Sequence, residues 1–222
     1  MWNKKGIIVS CQANIGDPLH GPHFMAEIAK AVVKGGAIGI RANGVTDVAF
    51  IKQCVNVPII GILKKNYPGY LPYITPTLED ALAVSYAGAD IIAMDCTKSP
   101  RPDGSTVSEI VRVLHEKTNC KVMADIATIE EAMFAYESGV DYVGTTLFGY
   151  TEETKHLKQP CFSLMKELVE KLPIPIIAEG GVNHPELVKK AFETGVSWVV
   201  IGRTITSPKF LTERFVKAID GE

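Results

Sequence analysis

The chain has 222 residues, 46% of them apolar, and carries 23 lysines and arginines against 25 aspartates and glutamates, a formal net charge of −2. A chain of this length can bury a full core as one domain, so we expect a single domain over residues 1–222. The near balance of charge argues against nucleic acid or an anionic membrane as a partner, and we expect a small-molecule ligand.

The amino terminus and the cysteines predict a cytoplasmic protein. The first twenty residues hold only a five-residue apolar run, which is too short for a signal peptide or a membrane span. The five cysteines are scattered, odd in number and without CxxC spacing. This pattern disfavours a disulfide framework or a zinc site and favours reduced thiols.

Eight short apolar runs follow one another along the chain. They are rich in Ile and Val and continuous rather than alternating, which is typical of parallel strands that helices cover on both faces. Four of them, from Gly36, Gly88, Gly139 and Gly195, begin with a glycine followed by a small apolar residue and recur every 51 to 56 residues. In chain order the runs are GIIVSCQ from Gly6, GAIGIRA from Gly36, PIIGILK from Pro58, GADIIAMD from Gly88, KVMADIA from Lys121, GVDYVGTT from Gly139, PIIAEGG from Pro175 and GVSWVVIG from Gly195.

The segments between the runs have helical periodicity and helix boundary signals. In MAEIAKAVVKGG, Met25, Ile28 and Val32 fall on one face, and HPELVKKAFETG repeats the pattern. The predicted starts join a cap to an acid or proline in the first turn: they are Thr77 with Asp80, Thr128 with Glu131, and Asn183 with Pro185 and Glu186. The predicted stops are Gly35, Gly88, Gly139 and Gly195.

Eight alternations of strand and helix predict a (β/α)₈ barrel rather than an open doubly wound sheet. The open sheet would carry a glycine fingerprint such as GxGxxG after its first strand. The segment SCQANIGDPLHG, which follows the first run, contains no such fingerprint.

Polar residues that follow the apolar runs are the candidate functional residues, because the active site of such a barrel lies at the carboxyl ends of its strands. Together they supply amide, guanidinium, amine, hydroxyl and carboxylate groups. They are Gln12, Arg41, Lys64, Asp95, Asp125, Thr145 with Thr146, Glu179 and Arg203.

Two of these residues are the predicted catalytic pair. Lys64 and Glu179 have apolar flanks, and their charges would be costly to desolvate unless they face a polar pocket. Lys65 is expected to face solvent, because neighbours in an extended chain point to opposite sides.

The remaining strand-end residues also have structural interpretations. Asp95 and Asp125 could cap helices, and Arg41 could pair with either of them. Thr145 and Thr146 could simply be strand formers. These alternatives stay open at the level of the sequence.

Glycines after the last two strands predict a phosphate site. Gly180, Gly181 and Gly202 offer backbone amides without side chains, and Arg203 could add a charge-assisted contact. Tight turns are the alternative explanation of these glycines. The histidines show no ligand spacing such as HxH or HExxH, so we expect neither a metal nor a cofactor. The aromatic segment NYPGY, with Pro72 and Tyr73 after it, is either a lid or a rigid turn.

The chain resembles the N-acylmannosamine-6-phosphate 2-epimerases of sialic acid catabolism over nearly its whole length. The resemblance rests on IIVSCQA, PLH, GIRAN, VPIIGILKKNYPG, MADIATIEEA, GVDYVGTTLFGYT, PIIAEGGV and GRTITSP. It implies interconversion of N-acetylmannosamine 6-phosphate and N-acetylglucosamine 6-phosphate in a homodimer. It also implies that Lys64 exchanges the proton at C2 with Glu179 as its partner. Three further residues would hold the sugar, namely Gln12, Arg41 and Asp125.

The sequence departs from this family near its end. Where the family commonly reads GGAITRP or GSAITR, this chain reads GRTITSP. Arg203 thus replaces a small residue, and Ser207 replaces an arginine that helps to hold phosphate. One hypothesis is that the guanidinium has moved along the loop. Phe148 stands where family members often have His or Ser.

Three other functions fit the residues themselves. A barrel lysine can attack a carbonyl, as in a Schiff-base aldolase. A metal-dependent pentulose-phosphate epimerase is disfavoured by the missing histidine ligands. A catalytically silent sugar-phosphate-binding module would not need Lys64 and Glu179.

Overall fold

Eight parallel strands close into a barrel in which each strand pairs with its neighbours in sequence and β1 pairs with β8. This computed structural model describes residue 2 and residues 4–220. The predicted (β/α)₈ class is confirmed. The strands are β1 Gly6–Cys11, β2 Gly39–Asn43, β3 Ile59–Ile62, β4 Ile91–Asp95, β5 Lys121–Asp125, β6 Tyr142–Gly144, β7 Ile176–Glu179 and β8 Trp198–Ile201.

Helices alternate with the strands and surround the barrel. They are α1 Pro22–Lys34, α2 Val45–Cys54, α3 Leu78–Tyr86, α4 Val107–Lys117, α5 Ile129–Glu137, α6 Phe162–Lys171, α7 Pro185–Glu193, α8 Arg203–Thr206 and α9 Pro208–Asp220. None of these helices is both long and apolar enough to cross a membrane.

The barrel interior is filled at its amino-terminal end, so the polar groups gather at the other end. Tyr142 and Trp198 pack edge to face with their ring centroids 5.8 Å apart. The ring centroid of Trp2 lies 4.8 Å from that of Trp198. Above them lie buried Ile8, Ile60 and other apolar side chains. Burial of each large apolar side chain contributes about 1.5–3 kcal/mol.

Two predicted helix starts are confirmed. The Thr77 hydroxyl accepts a hydrogen bond from the backbone of Asp80. Thr128 and Glu131 form a reciprocal capping box at the start of α5.

The predicted cap at Asn183 is wrong. The N-cap of α7 is His184, whose side chain accepts from the backbone amide of Glu186. Pro185 explains the shift, because proline suits the first helical position and holds the residue before it in an extended conformation.

Three of the four predicted stop glycines have the expected backbone, and the fourth is displaced by one residue. Gly88, Gly139 and Gly195 have the left-handed backbone typical of a helix stop. After α1, Gly35 keeps a helical backbone, and the left-handed residue is Gly36 with φ 103°.

Candidate active site

A cleft of about 390 Å³ opens at the carboxyl ends of the strands. It brings together most of the residues that the sequence predicts for the site. Its lining includes Gln12, Arg41, Lys64, Thr146, Glu179, Gly180, Gly181, Gly202 and Arg203. Asp125 lies beneath the cleft, with none of its side chain exposed.

A bidentate ion pair between β2 and β5 forms the floor of the site. Arg41 Nη2 lies 2.6 Å from Asp125 Oδ2, and Arg41 Nη1 lies 3.1 Å from Oδ1. Paired geometry of this kind offsets the cost of burying both charges. The structure thus excludes the alternatives in which Asp125 caps a helix or Arg41 pairs with Asp95.

Glu179, at the end of β7, adjoins this ion pair. Its Oε2 lies 3.1 Å from Arg41 Nη1 and 3.2 Å from the Thr146 hydroxyl. Burial raises the pKa of Glu179 above its usual value, and the nearby Asp125 charge adds to the rise while Arg41 opposes it. Glu179 is therefore suited to hold a proton at higher pH than an ordinary glutamate.

The two threonines after β6 point in opposite directions. Thr145 Oγ1 donates to the backbone carbonyl of Glu179 at 2.8 Å and accepts from its amide at 3.0 Å. Thr146 Oγ1 instead lies 2.6 Å from Asp125 Oδ1 in the site. Thr145 therefore fixes the backbone of β7, whereas Thr146 contacts the ionisable groups.

Lys64 lies on a hairpin that follows β3. It forms an antiparallel bridge with Ile74, and the amide of Lys65 donates to the carbonyl of Tyr73 at 2.9 Å. The backbone amide of Lys64 also donates to Asn43 Oδ1 at 2.8 Å. The segment NYPGY is thus the turn of this hairpin, with Gly69 in a left-handed conformation.

Thr75 anchors the returning arm of the hairpin. It is fully buried and has a φ of 47°, a conformation that costs a threonine about 1–3 kcal/mol. Its hydroxyl accepts from the amide of Leu63 at 3.1 Å and donates to the carbonyl of Ala93 at 2.7 Å. These bonds hold the hairpin, and with it Lys64, against β4.

The environment of Lys64 favours a neutral amine. Lys64 is exposed at the rim of the cleft, but surrounding protein removes part of its hydration, and this desolvation lowers its pKa. The charge of Arg41 lowers the pKa further, while Glu179 and Asp125 act in the opposite direction.

Lys65 does not contribute to this effect. Its Nζ lies 3.3 Å from Asp80 Oδ1 and 4.7 Å from the centre of the Tyr67 ring. The alternation of side chains along the hairpin arm directs it away from the cleft, and about half of the side chain is exposed as expected.

Asp95 is buried but lies outside the cleft. Its Oδ1 accepts from the amide of Thr97 at 2.9 Å and from the Thr97 hydroxyl at 2.6 Å. The residue therefore closes a turn after β4 and does not cap α4, which Thr106 caps. Burial raises the pKa of Asp95.

Gln12 has a carbonyl oxygen without a partner. Its Nε2 donates to the Ser10 hydroxyl at 2.6 Å, while Oε1 is buried and accepts no hydrogen bond from the described residues. An unsatisfied buried acceptor costs about 1–3 kcal/mol. Because Gln12 lines the cleft, a ligand group could satisfy it.

The glycine loops after β7 and β8 lie at the opposite side of the cleft from Lys64. Gly180 and Gly181 have φ values of 105° and 70°, so the turn requires glycine there. A side chain at Gly181 would also clash with the backbone of Gln159, at 2.7 Å. The glycines thus serve the turn and also leave backbone exposed to the cleft.

Arg203 begins α8 and lines the cleft. Its guanidinium stacks on Phe210 at 4.4 Å from the ring centre. Ser207 instead accepts a hydrogen bond from the backbone amide of Phe210. Phe148 is buried in the core, where its carbonyl accepts from Gln159.

Asn43 and Tyr73 also line the cleft; the strand-end pattern does not include Asn43, and the sequence places Tyr73 only with the aromatic segment as a lid or turn. Asn43 ends the GIRAN segment and fixes the backbone of Lys64. Burial raises the pKa of Tyr73 to about 12, and the nearby Asp125 and Asp95 add to the rise. An amide at a strand end was an available signal for Asn43, whereas the position of Tyr73 depends on the hairpin.

A second cavity, of about 700 Å³, adjoins the cleft. Tyr73 and Tyr150 line both cavities. Asp95, Leu147 and the loop after β4 form other parts of its wall. Within residues 2 and 4–220, no group of three or more His, Cys, Asp or Glu residues is arranged to hold a metal ion.

Comparison with known proteins identifies the family. The family described as "Putative N-acetylmannosamine-6-phosphate epimerase" matches residues 25–221. The chain belongs to this family. A relative from Caldanaerobacter subterraneus subsp. tengcongensis, named putative N-acetylmannosamine-6-phosphate 2-epimerase, is 49% identical over 97% of this chain and 92% of its own. A relative of the same name from Clostridioides difficile is 48% identical over 98% and 97%.

Solved structures agree with this membership of the epimerase family. The N-acetylmannosamine-6-phosphate 2-epimerase from Clostridium perfringens is 42% identical, covers 96% of this chain and 93% of its own, and superimposes with a TM-score of 0.92. A thiamine phosphate pyrophosphorylase from Pyrococcus furiosus, 16% identical with a TM-score of 0.63, shares the fold alone. The predicted family resemblance is confirmed.

Proposed function

We propose that this enzyme interconverts N-acetylmannosamine 6-phosphate and N-acetylglucosamine 6-phosphate by proton transfer at C2. The names of its relatives support this substrate and reaction. The observation that carries the proposal is a pair of groups facing one cleft, Lys64 with a lowered pKa and Glu179 with a raised one. Such shifts bring an acid and a base toward the pH at which proton transfer is efficient.

Glu179 assists ring opening. The proton at C2 becomes acidic only when the sugar is an open-chain aldehyde. Glu179 holds a proton that it can donate to the ring oxygen as the bond from C1 breaks, and it can recover the proton when the ring closes. Its position beside Arg41 keeps the resulting carboxylate paired.

Lys64 then removes the C2 proton as a neutral amine. The lowered pKa increases the neutral fraction near pH 7. Charge develops on the aldehyde oxygen, and Gln12 or Arg41 can donate hydrogen bonds to it. Return of a proton to the other face of C2 completes the epimerisation, by Lys64 or with the help of a substrate hydroxyl.

The loops after β7 and β8 are the proposed phosphate site. Gly180, Gly181 and Gly202 leave backbone amides accessible to the cleft, and Arg203 adds a positive charge. Arg41, which lines the cleft, would position the sugar hydroxyls, and Asp125 beneath it would hold the guanidinium in place. The substrate would thus lie across the mouth between the phosphate loops and Lys64. In the cell we place this reaction in cytoplasmic sialic acid and amino sugar catabolism.

Turnover by two neighbouring lysine variants tests this function. Lys64→Ala should lower kcat by at least about 100-fold, the lower bound for a general acid or base. Lys65→Ala, the matched control, should retain activity because Lys65 faces Asp80. Equal activity of Lys64→Ala and the wild type would refute the assignment.

The aldolase alternative requires a covalent intermediate. Borohydride reduction in the presence of the substrate should leave Lys64 unmodified in an epimerase, whereas an aldolase would retain the reduced substrate on this lysine. A silent binding module would bind the sugar phosphate without turnover in either the wild type or Lys64→Ala.

We also propose that the enzyme is a homodimer, with α9 in the interface. Residues 212–219 are all exposed, and Phe215 and Ile219 are 76% and 84% exposed. A helix with such an apolar face requires a covering surface. Half-buried apolar side chains on α1 and α7, including Val32 and Val188, offer one on a second copy.

Light scattering after size exclusion tests the dimer. The wild type should have the mass of two chains, and the variant Phe215→Ser/Ile219→Ser should have the mass of one. A wild type that stays monomeric at high protein concentration would contradict the proposal.

A further inference from the structure

The Thr146 hydroxyl lies between the two carboxyl groups of the site. Its oxygen is 2.6 Å from Asp125 Oδ1 and 3.2 Å from Glu179 Oε2. A hydroxyl carries one proton and so can donate only one of these two hydrogen bonds. In the other hydrogen bond, the proton must come from the carboxyl group, and Thr146 must be the acceptor.

The proton of Thr146 belongs in the bond to Asp125. This contact is shorter by 0.6 Å than the contact to Glu179, and Asp125 is fully buried between Arg41 and Thr146. A short contact to an ionised acceptor is the expected geometry of an O–H···O⁻ hydrogen bond. Toward Glu179, Thr146 therefore presents a lone pair.

None of the charged groups that the structure describes around Glu179 forms a hydrogen bond with its carboxyl group, so the Thr146 oxygen remains its hydrogen-bond partner. Arg41 faces Glu179 from β2, Lys64 from the hairpin and Asp125 from β5. Arg41 Nη1 lies 3.1 Å from Glu179 Oε2, but its hydrogen bonds go to Asp125 and to the sulfur of Met123. Among the described residues, Glu179 Oε2 has its only hydrogen-bond contact with Thr146.

We propose that Thr146 accepts a hydrogen bond from protonated Glu179 while it donates to Asp125, and that it thereby holds Glu179 in the acid form before ring opening. Thr146 is then a positioning residue that acts through Glu179. During ring opening the Glu179 proton goes to the ring oxygen, the bond between C1 and that oxygen breaks, and the proton of the C1 hydroxyl leaves to water.

The direction of a pKa change tests this arrangement. If Thr146 accepts from protonated Glu179, Thr146→Val removes the acceptor and Glu179 should titrate at lower pH. If Thr146 instead donates to the Glu179 carboxylate, the same substitution should raise the titration pH. Thr146→Ser keeps the hydroxyl and should leave the titration as in the wild type.

Infrared titration of the substrate-free enzyme measures this change. The carboxylic acid band of Glu179 is identified by its loss in Glu179→Gln, and its pH midpoint is compared among the wild type, Thr146→Val and Thr146→Ser. We expect a fall of about one pH unit in Thr146→Val, corresponding to a tenfold change in proton affinity. An unchanged or higher midpoint would overturn the proposal. Thr146→Cys, a weaker acceptor, should give a smaller fall if the valine variant does not fold.

The inference rests on the proposed role of Glu179, but the infrared experiment requires no turnover. A lower midpoint in an enzyme that does not epimerise the sugar would refute the function alone. A higher midpoint in an active enzyme would refute the Thr146 arrangement alone.

The cavity beside the cleft carries a second inference. Lys64 must lie beside C2 for the proposed reaction, and C2 also bears the N-acyl group. Tyr73, which precedes Ile74, the bridge partner of Lys64, on the returning arm of the hairpin, lines both the cleft and the 700 Å³ cavity. The phosphate loops follow β7 and β8, on the far side of the closed barrel from β3.

We infer that this cavity is a subsite for N-acyl groups longer than acetyl. Leu71, Tyr73, Leu147 and Tyr150 supply apolar surface for a short chain. The rest of the wall is polar and includes Asp95, the Thr97 hydroxyl and the glutamates Glu130, Glu131, Glu152 and Glu153. The residues that determine acyl selectivity would then be Tyr73 and Tyr150, which line both cavities.

Substrate analogues test the subsite. Wild-type kcat/KM for N-butanoylmannosamine 6-phosphate should stay within about tenfold of the N-acetyl value, and Ser99→Trp, at the cavity wall, should lower it at least tenfold without affecting the N-acetyl substrate. Ser163→Trp, at an exposed position of α6, is the control. A wild type that rejects the butanoyl sugar, or a Ser99→Trp variant that loses both substrates alike, would overturn the inference. Failure of the proposed function would instead leave the N-acetyl sugar unconverted.

Discussion

The two sides of the cleft are built differently. On one side, the ion-pair sector consists of Arg41, Asp125, Thr146 and Glu179, which join β2, β5, β6 and β7 through contacts of 2.6 to 3.2 Å. On the other, the proposed phosphate loops consist of Gly180, Gly181, Gly202 and Arg203, where backbone and one exposed side chain face the cleft.

Because of this difference, substitutions on the two sides should have different effects on stability and on substrate binding. A change in the ion-pair sector leaves a buried charge without its partner, so it should reduce stability together with activity. A change at Arg203 leaves an exposed loop without a charge, so it should reduce substrate binding and little else. Variants of Arg41, Glu179 and Arg203 test this separation.

Removal of Arg41 should have the largest effect on stability. Arg41→Met strands the buried carboxylate of Asp125 and should lower the free energy of unfolding by about 3–5 kcal/mol. Urea denaturation measures the loss. Lys52→Met, which breaks an exposed pair with Asp90, should cost at most about 1 kcal/mol. Similar losses in the two variants would show that burial of the Arg41–Asp125 pair does not make it more costly to break.

Glu179→Gln should have two distinct effects, a loss of catalysis and a pH-dependent change in stability relative to the wild type. Loss of the acid should lower kcat by about 10²–10⁴-fold. The folded-state pKa of Glu179 is raised, so its stabilising contribution is present below its unfolded pKa and lost as pH rises through the folded pKa. The wild type should therefore lose stability relative to Glu179→Gln as pH rises above about 4.3.

Thermal unfolding of both proteins across this pH range checks the sign. A Tm difference that grows in favour of the wild type with rising pH would show that Glu179 is stabilised as a carboxylate, contrary to the proton arrangement inferred for Thr146.

Arg203→Ala should have a smaller effect, limited to binding. We expect KM for the phosphorylated sugar to rise by about tenfold, equivalent to about 1.4 kcal/mol, with less than about 1 kcal/mol lost in stability. Arg214→Ala is the matched control, since Arg214 also lies over Phe210, at 5.9 Å, but does not line the cleft. An equal rise in KM for both variants would show that Arg203 acts only through Phe210.

The fold and much of the rim could be predicted from the sequence for a simple reason. Continuous Ile and Val runs separated by capped helices specify a parallel barrel, and the parallel strands carry their polar ends to one rim. Register then places Asp125 beside Asp95 on β4 and opposite Gly144 on β6. This geometry brings the ends of β3 and β7, and with them Lys64 and Glu179, to the same cleft.

The partners within the site depend on contacts between distant parts of the chain. Arg41 and Asp125 are separated by 84 residues, and nothing local to either distinguishes a pair between them from the pair of Arg41 with Asp95. Thr146 likewise differs from Thr145 only in the face to which it points. The orientation of Lys65 and the cavity beside Tyr73 follow from the hairpin after β3, which the strand pattern does not predict.

Deuterium exchange at C2 tests the central claim most directly. Purified enzyme is incubated with N-acetylmannosamine 6-phosphate in D₂O without added metal or cofactor, and proton NMR follows both sugars. We expect N-acetylglucosamine 6-phosphate to form with deuterium at C2 in the wild type and in Lys65→Ala, and neither conversion nor exchange in Lys64→Ala. Conversion without deuterium entry, or exchange that persists in Lys64→Ala, would contradict proton transfer by Lys64.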